Sequence, residues 1–178
     1  MIIVITRPDF FEGEAEAIVR LFVQRHIDRL HLRKPDASAD EVARLVEQLP
    51  AELYPKISVH DHYDVAEEYH LGGIHLTGRH PVAPARWNGL LSTSCHSIDE
   101  LRQQRNKPFD YLSLSPIFDS ISKAGYHSAF TQEEIAQAHA EGLIDSRVLA
   151  LGGVTFARLP EVEAMGFGGG MILGDAWK

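Results

Sequence analysis

Short apolar runs alternate along the chain with longer stretches whose apolar positions recur at helical spacing. The runs fall at residues 2–6, 29–32, 56–59, 73–76, 90–94, 111–114, 148–151 and 170–173. Several are apolar without alternation, the pattern of strands buried on both faces. Residues 12–25 place Ala15, Ile18, Val19, Phe22 and Val23 on one stripe, with acids early and Arg25 and His26 late, as the helix macrodipole favours. Ser38 with Glu41, Ser97 with Glu100 and Thr131 with Glu134 read as capping boxes opening helices over 38–49, 97–104 and 131–141. Further helices are expected at 64–69 and 155–165, and Gly142 and Gly166 are placed to end two of these segments. The stretch 81–88 holds two prolines and reads as irregular.

Alternating strands and helices imply parallel strands with crossover connections. Eight such strands predict an α/β fold of the (β/α)8 TIM-barrel type, in one domain over residues 1–178. An open doubly wound sheet is the alternative. The chain is short against the typical barrel of about 250 residues. It reaches Lys178 soon after the eighth run, so a compact barrel lacking the final helix is expected. A homodimer contact is one way to cover strands left open there.

The net charge of −8 speaks against a nucleic-acid or anionic-membrane partner. A single cysteine, Cys95, excludes an internal disulfide framework and fits a reducing, cytoplasmic location. No apolar stretch approaches the roughly 20 residues of a membrane span.

Candidate chemistry gathers at the carboxyl ends of the runs, where barrel enzymes keep their sites. His31 and Arg33 share a strand face at the end of the second run, and Lys34 follows. Arg33 suits a carboxylate or phosphate. Asp61, after the third run, suits Mg²⁺ or a substrate hydroxyl. His60 and His62 share a face and resemble a metal pair; zinc needs a third ligand, for which His75 and His80 are candidates without a known spacing. His96 lies where chain passes from strand to helix, with an imidazole suited to proton transfer near neutrality. Cys95 and His96 point oppositely on an extended strand, which argues against a nucleophile pair. Ser120, Ser122 and Lys123 lie in a long loop able to wrap an anion. Gly152, Gly153 and Gly174 allow backbone N–H groups to approach a phosphate after the last two strands.

Taken in order, these motifs resemble thiamine phosphate synthase and its TenI relatives, over the whole span of runs. The family's Gln/His-x-Arg is similar to His31-Leu32-Arg33, its Asn-Asp-Arg-x-Asp to His60-Asp61-His62-Tyr63-Asp64, and its Gly-Val-His-Leu to Gly73-Ile74-His75-Leu76. Its Ser-x-His-Ser matches Ser94–Ser97. Its Pro-Val-Phe-x-Thr-x-Thr-Lys resembles 116–123, and its Ala-x-Gly-Gly-Ile resembles 150–154.

The resemblance implies an enzyme of thiamine biosynthesis with a phosphorylated thiazole as substrate. A TenI-like tautomerase aromatises that thiazole by proton transfer without metal or other cofactor. His96 and His31 would then be catalytic. Arg33, Lys34, His60, His75, Ser120, Ser122, Lys123, Gly152, Gly153 and Gly174 would bind substrate or phosphate. A synthase instead couples the thiazole phosphate to a hydroxymethylpyrimidine diphosphate, with Mg²⁺ at Asp61. The synthase pattern wants a second carboxylate shortly after the fourth strand, where this chain has His80; that difference favours the tautomerase. A third alternative is a non-catalytic protein that binds thiazole phosphate or thiamine phosphate.

Overall fold

A computed structural model describes residues 1–119 and 128–178. The eight strands close into a barrel in sequence order. They are β1 (Ile2–Ile5), β2 (Arg29–Leu32), β3 (Ile57–Val59), β4 (Gly73–Leu76), β5 (Leu90–Cys95), β6 (Tyr111–Leu114), β7 (Val148–Leu151) and β8 (Gly170–Ile172). The helices are α1 (Glu14–Gln24), α2 (Ala39–Glu47), α3 (Tyr63–Glu68), α4 (Ile98–Gln104), α5 (Gln132–Ala140) and α6 (Leu159–Ala164). No described helix is long and apolar enough to cross a membrane.

Local chemistry explains the boundaries. Ser38 caps α2 and Thr131 caps α5, each with the reciprocal glutamate bond of a capping box. Only half of the third box forms. Ser97 accepts from the Glu100 amide, but the Glu100 carboxylate takes the amide of His96 at 2.6 Å. The segment expected as one helix over 155–165 is divided, with a 3-10 turn at Phe156–Arg158 before α6. Pro160 lies in the first turn of α6, where its missing N–H costs nothing. Between β4 and β5 the described chain forms no helix, and after β8 there is only a 3-10 turn, Gly174–Trp177.

The sequence leads to one undivided domain; the contacts gather into two compact units, Ile3–Leu91 and Met1–Ile2 with Ser92–Lys178.

In the first unit, His31 of β2 pairs in register with Ser58 of β3, and Ser58 with Gly73 of β4. Alternation puts Leu30, Leu32, Ile57, Val59 and Ile74 on the opposite face, all nearly or fully buried. The polar face starts with Arg29, whose guanidinium donates to Ser58 Oγ at 3.1 Å and to the Pro55 carbonyl at 3.0 Å. Two residues beyond Arg29, Ser58 and Gly73 on their respective strands, His31, His60 and His75 follow on the same face. Behind them Lys34 is buried and donates to both carboxylate oxygens of Glu14, at 2.7 and 2.9 Å, and to the Asp9 carbonyl at 2.8 Å. Burial moves the pair toward neutrality from both sides, raising the Glu14 pKa and lowering that of Lys34.

In the second unit, β5 to β8 pair in parallel, with Ser94 opposite Ser113, Leu114 opposite Ala150 and Ala150 opposite Gly170. The Gly170 amide donates to the Met1 carbonyl at 3.0 Å, and the Met1 ammonium donates to the Gly168 carbonyl at 2.6 Å. Gly169 between them has φ of +143°, and a Cβ there would strike the Met1 carbonyl. Gly169→Ala is therefore expected to destabilise the fold by about 2 kcal/mol or more, measured by urea unfolding.

Candidate functional site

The carboxyl ends of β2, β3 and β4 bring three predicted site residues together. His31, His60 and His75 are 0%, 5% and 1% exposed. His31 Nδ1 and His60 Nε2 are hydrogen-bonded at 2.8 Å. The rings of His60 and His75 stack at 4.3 Å, and His31 packs against both at about 5 Å. Desolvation holds all three imidazoles neutral. His75 is lowered to about 3; His31 and His60 are lowered well below their ordinary range, with neighbouring imidazoles adding to the burial.

Native imidazoles stay neutral while unfolded ones protonate below about 6.5, so the unfolded state binds more protons as pH falls. In metal-free protein the stability contribution is complete above pH 6.5 and is lost progressively toward pH 3. Each histidine contributes a slope of up to about 1.4 kcal/mol per pH unit. Urea unfolding at neutral pH and near pH 5 will measure this, and His75→Gln is expected to flatten the dependence.

Asp61 follows His60 and is 6% exposed. Its Oδ1 accepts from Arg79 Nη2 at 3.0 Å and lies 3.3 Å from His80 Nε2. Its Oδ2 is buried and has no hydrogen-bond partner among the described residues. Tyr63 fixes the neighbouring loop, its hydroxyl bridging the carbonyls of His75 at 2.9 Å and His80 at 3.0 Å. Arg33 is half-buried. Its amide donates to Thr6 Oγ1, and Thr6 Oγ1 donates back to the Arg33 carbonyl, which pins the backbone at the end of β2. Its guanidinium makes no hydrogen bond or ion pair with the described residues, so it is available to an anion.

Lys34 and His62 lie elsewhere than the sequence suggests. Lys34 does not extend toward a phosphate: its ammonium is buried and fully engaged by Glu14 and Asp9. His62 does not join His60. The chain turns at His62 with φ of +55°, and its Nε2 bonds the Ala37 carbonyl at 2.7 Å. The partners of His60 come instead from β2 and β4.

In the second unit, His96 is exposed at the exit of β5. Its backbone is held by Glu100 and its Nδ1 lies 3.1 Å from Ser115 Oγ. Cys95 is fully buried and its thiol is pushed up to about 12 by burial, which removes it as a nucleophile. Gly152 and Gly153 have φ of +90° and +64° and let the β6 exit lie against the β7 exit. A Cβ at Gly152 would meet Pro116, and one at Gly153 would meet the Asp119 carbonyl and Phe118. Close packing is therefore the role these glycines visibly have. Gly174 opens the last 3-10 turn and is exposed. Ser120, Ser122 and Lys123 lie outside the described residues.

Sequence reasoning missed Arg79, Glu100 in its bond to His96, and Ser115. The alternation of β6 puts Ser113 and Ser115 on one face and was the available signal for Ser115; Arg79 sits in a loop and gave none.

The model of the family described as "Thiamine monophosphate synthase" matches residues 2–173. The chain belongs to this family. Among relatives, the thiamine-phosphate synthase of Photorhabdus laumondii is 26% identical over 161 residues, covering 85% of this chain and 74% of that protein. That of Halalkalibacterium halodurans is 27% identical over 155 residues, covering 83% and 72%. The crystal structure of thiamine phosphate pyrophosphorylase from Bacteroides thetaiotaomicron superposes with a TM-score of 0.86 at 38% identity, over 99% of this chain and 84% of that one. The histidine cluster lies at the ends of β2, β3 and β4, in the segments that resemble the family's Gln/His-x-Arg, Asn-Asp and Gly-Val-His-Leu motifs.

Proposed function

We propose that this member of the family is a thiamine-phosphate synthase, coupling a hydroxymethylpyrimidine diphosphate to a thiazole phosphate. The relatives' names support this reading over the metal-free tautomerase, reversing the order suggested by His80. One structural observation carries it: a buried carboxylate oxygen, Asp61 Oδ2, without a partner among the described residues. A buried carboxylate oxygen left without a partner is costly even when its twin is paired, and a hard cation satisfies it. Mg²⁺ is commonly held by one or two carboxylates with substrate phosphates supplying further oxygens, so Asp61 fits as its protein ligand. Bound there with the diphosphate, Mg²⁺ would offset the charge of the departing group.

The chain's own residues supply the rest. Arg33 binds phosphate oxygens through its unengaged guanidinium. Arg79 and His80, beside Oδ1 of Asp61 where the family pattern has a second carboxylate, would offer hydrogen-bond donors to the diphosphate rather than ligands to the cation. Gly152 and Gly153, and the exposed Gly174, bind the thiazole phosphate through backbone N–H groups, and Ser120, Ser122 and Lys123 are the further anion-binding residues that the family motif implies.

Purified protein given both substrates and Mg²⁺ should form thiamine phosphate and release diphosphate, and excess chelator should stop it. A second reading rests on His96, whose imidazole is oriented by Ser115 and whose backbone is held by Glu100. That geometry suits proton transfer on a thiazole phosphate. Conversion of the thiazole tautomer in the presence of chelator, with no coupling, would favour it.

A further inference from the structure

We propose that His31, His60 and His75 form a three-histidine centre for a borderline divalent metal ion of the zinc class, separate from the cation at Asp61. Each residue offers one ring nitrogen, and these atoms lie within 4.8 Å of one another. Ring positions agree with shared coordination. Three imidazoles on one tetrahedral ion at about 2.1 Å have centroids roughly 5 Å apart. Here the centroid separations are 5.0, 5.1 and 4.3 Å.

Movements on the order of an ångström bring the three nitrogens to one ion. Two tetrahedral ligand nitrogens are roughly 3.4 Å apart at that bond length. His31 Nδ1 and His60 Nε2, at 2.8 Å, therefore open by a few tenths of an ångström, and an ion replaces their hydrogen bond. The stacked His60 and His75 rings, now inclined by 28°, tilt further apart. His31 and His75 stand within β2 and β4, and His60 directly follows β3 with its amide donating to the Leu32 carbonyl at 3.1 Å, which fixes them more firmly than a loop would.

The donor set names the ion. Imidazole nitrogen selects zinc, cobalt, nickel or copper, whereas Mg²⁺ takes oxygen. Three protein ligands leave a fourth position open. Neutral ligands also leave the ion its full double charge in a dry environment, so that position favours an anion, either hydroxide or a phosphate oxygen. His62 takes no part, since its Nε2 is committed to the Ala37 carbonyl.

The test is metal content rather than turnover, so its outcome is independent of the coupling reaction. Protein purified without chelator or a histidine tag is loaded with Zn²⁺, dialysed, and measured by elemental analysis and by X-ray absorption at the zinc edge. The expected result is about one zinc per chain with three imidazole ligands. His31→Gln and His75→Gln should each weaken zinc binding at least tenfold, while Asp61→Asn keeps it. The proposal is overturned if dialysis removes all zinc, if the edge spectrum lacks three imidazoles, or if a folded His75→Gln binds zinc as the parent does. The parent's spectrum decides the matter even where a variant fails to fold.

Discussion

Asp61→Asn should lower Mg²⁺-dependent formation of thiamine phosphate by roughly 100-fold or more, equivalent to about 2.7 kcal/mol of transition-state stabilisation. The substitution is nearly isosteric, so packing around this buried position changes little. The asparagine carbonyl can take over the hydrogen bond from Arg79 at Oδ1. Its NH2 then stands where Oδ2 stood, a donor in place of the unpartnered acceptor. Cation affinity is lost while the fold survives. Steady-state coupling rates against Mg²⁺ concentration, with thermal unfolding as the control, will show this. Unchanged coupling in a well-folded variant would remove Asp61 as the cation ligand and with it the observation on which the synthase reading rests.

Lys34→Met should destabilise the protein by about 3–5 kcal/mol, because it strands the Glu14 carboxylate in a buried position. That is a large fraction of the 5–15 kcal/mol by which a typical domain is stable. Glu14→Leu should cost a similar amount by leaving the ammonium unpaired. Combining the two is expected to recover most of the loss, since a buried ion pair is often replaceable by apolar side chains. The Asp9 carbonyl released by Lys34 belongs to an exposed residue and water can satisfy it. Urea unfolding of the parent, both single variants and the double variant gives the coupling energy directly. Strictly additive losses would mean that the pair does not act as a unit.

The strands and caps were legible in the sequence because their causes are local. Apolar runs at 29–32, 73–76, 111–114 and 148–151 match β2, β4, β6 and β7 at both ends. The Ser38 and Thr131 boxes form because each pairs a hydroxyl with a glutamate three residues on. What the sequence hid depends on pairings between distant residues. Glu14 reads as an acid in the first turn of a helix, and nothing local indicates that Lys34, twenty positions later, turns inward to meet it. The same applies to Asp61 and Arg79.

The histidines show how far strand parity reaches. His31, His60 and His75 were each readable as site residues at strand ends. Their assembly into one cluster follows from strand parity and register: His31 lies opposite Ser58, and Ser58 opposite Gly73, so His60 and His75 stand two residues beyond that row on the same face and their rings meet His31 across the step. Pairing His60 with His62 instead assumed that the strand continues. It stops at Val59, and the left-handed turn at His62 carries that ring away.

The division of contacts into two units has an optical consequence. The chain contains two tryptophans, and each unit holds one: Trp87 in Ile3–Leu91 and Trp177 with Ser92–Lys178. Both are half-buried, so their emission will respond to loss of the surrounding structure. A single Trp→Phe change at either site leaves a fluorophore native to one half. Denaturation followed in the two variants then reads each half of the barrel by its own colour. Coincident midpoints would mean that closure of the sheet makes both halves melt together; separated midpoints would identify the half that opens first.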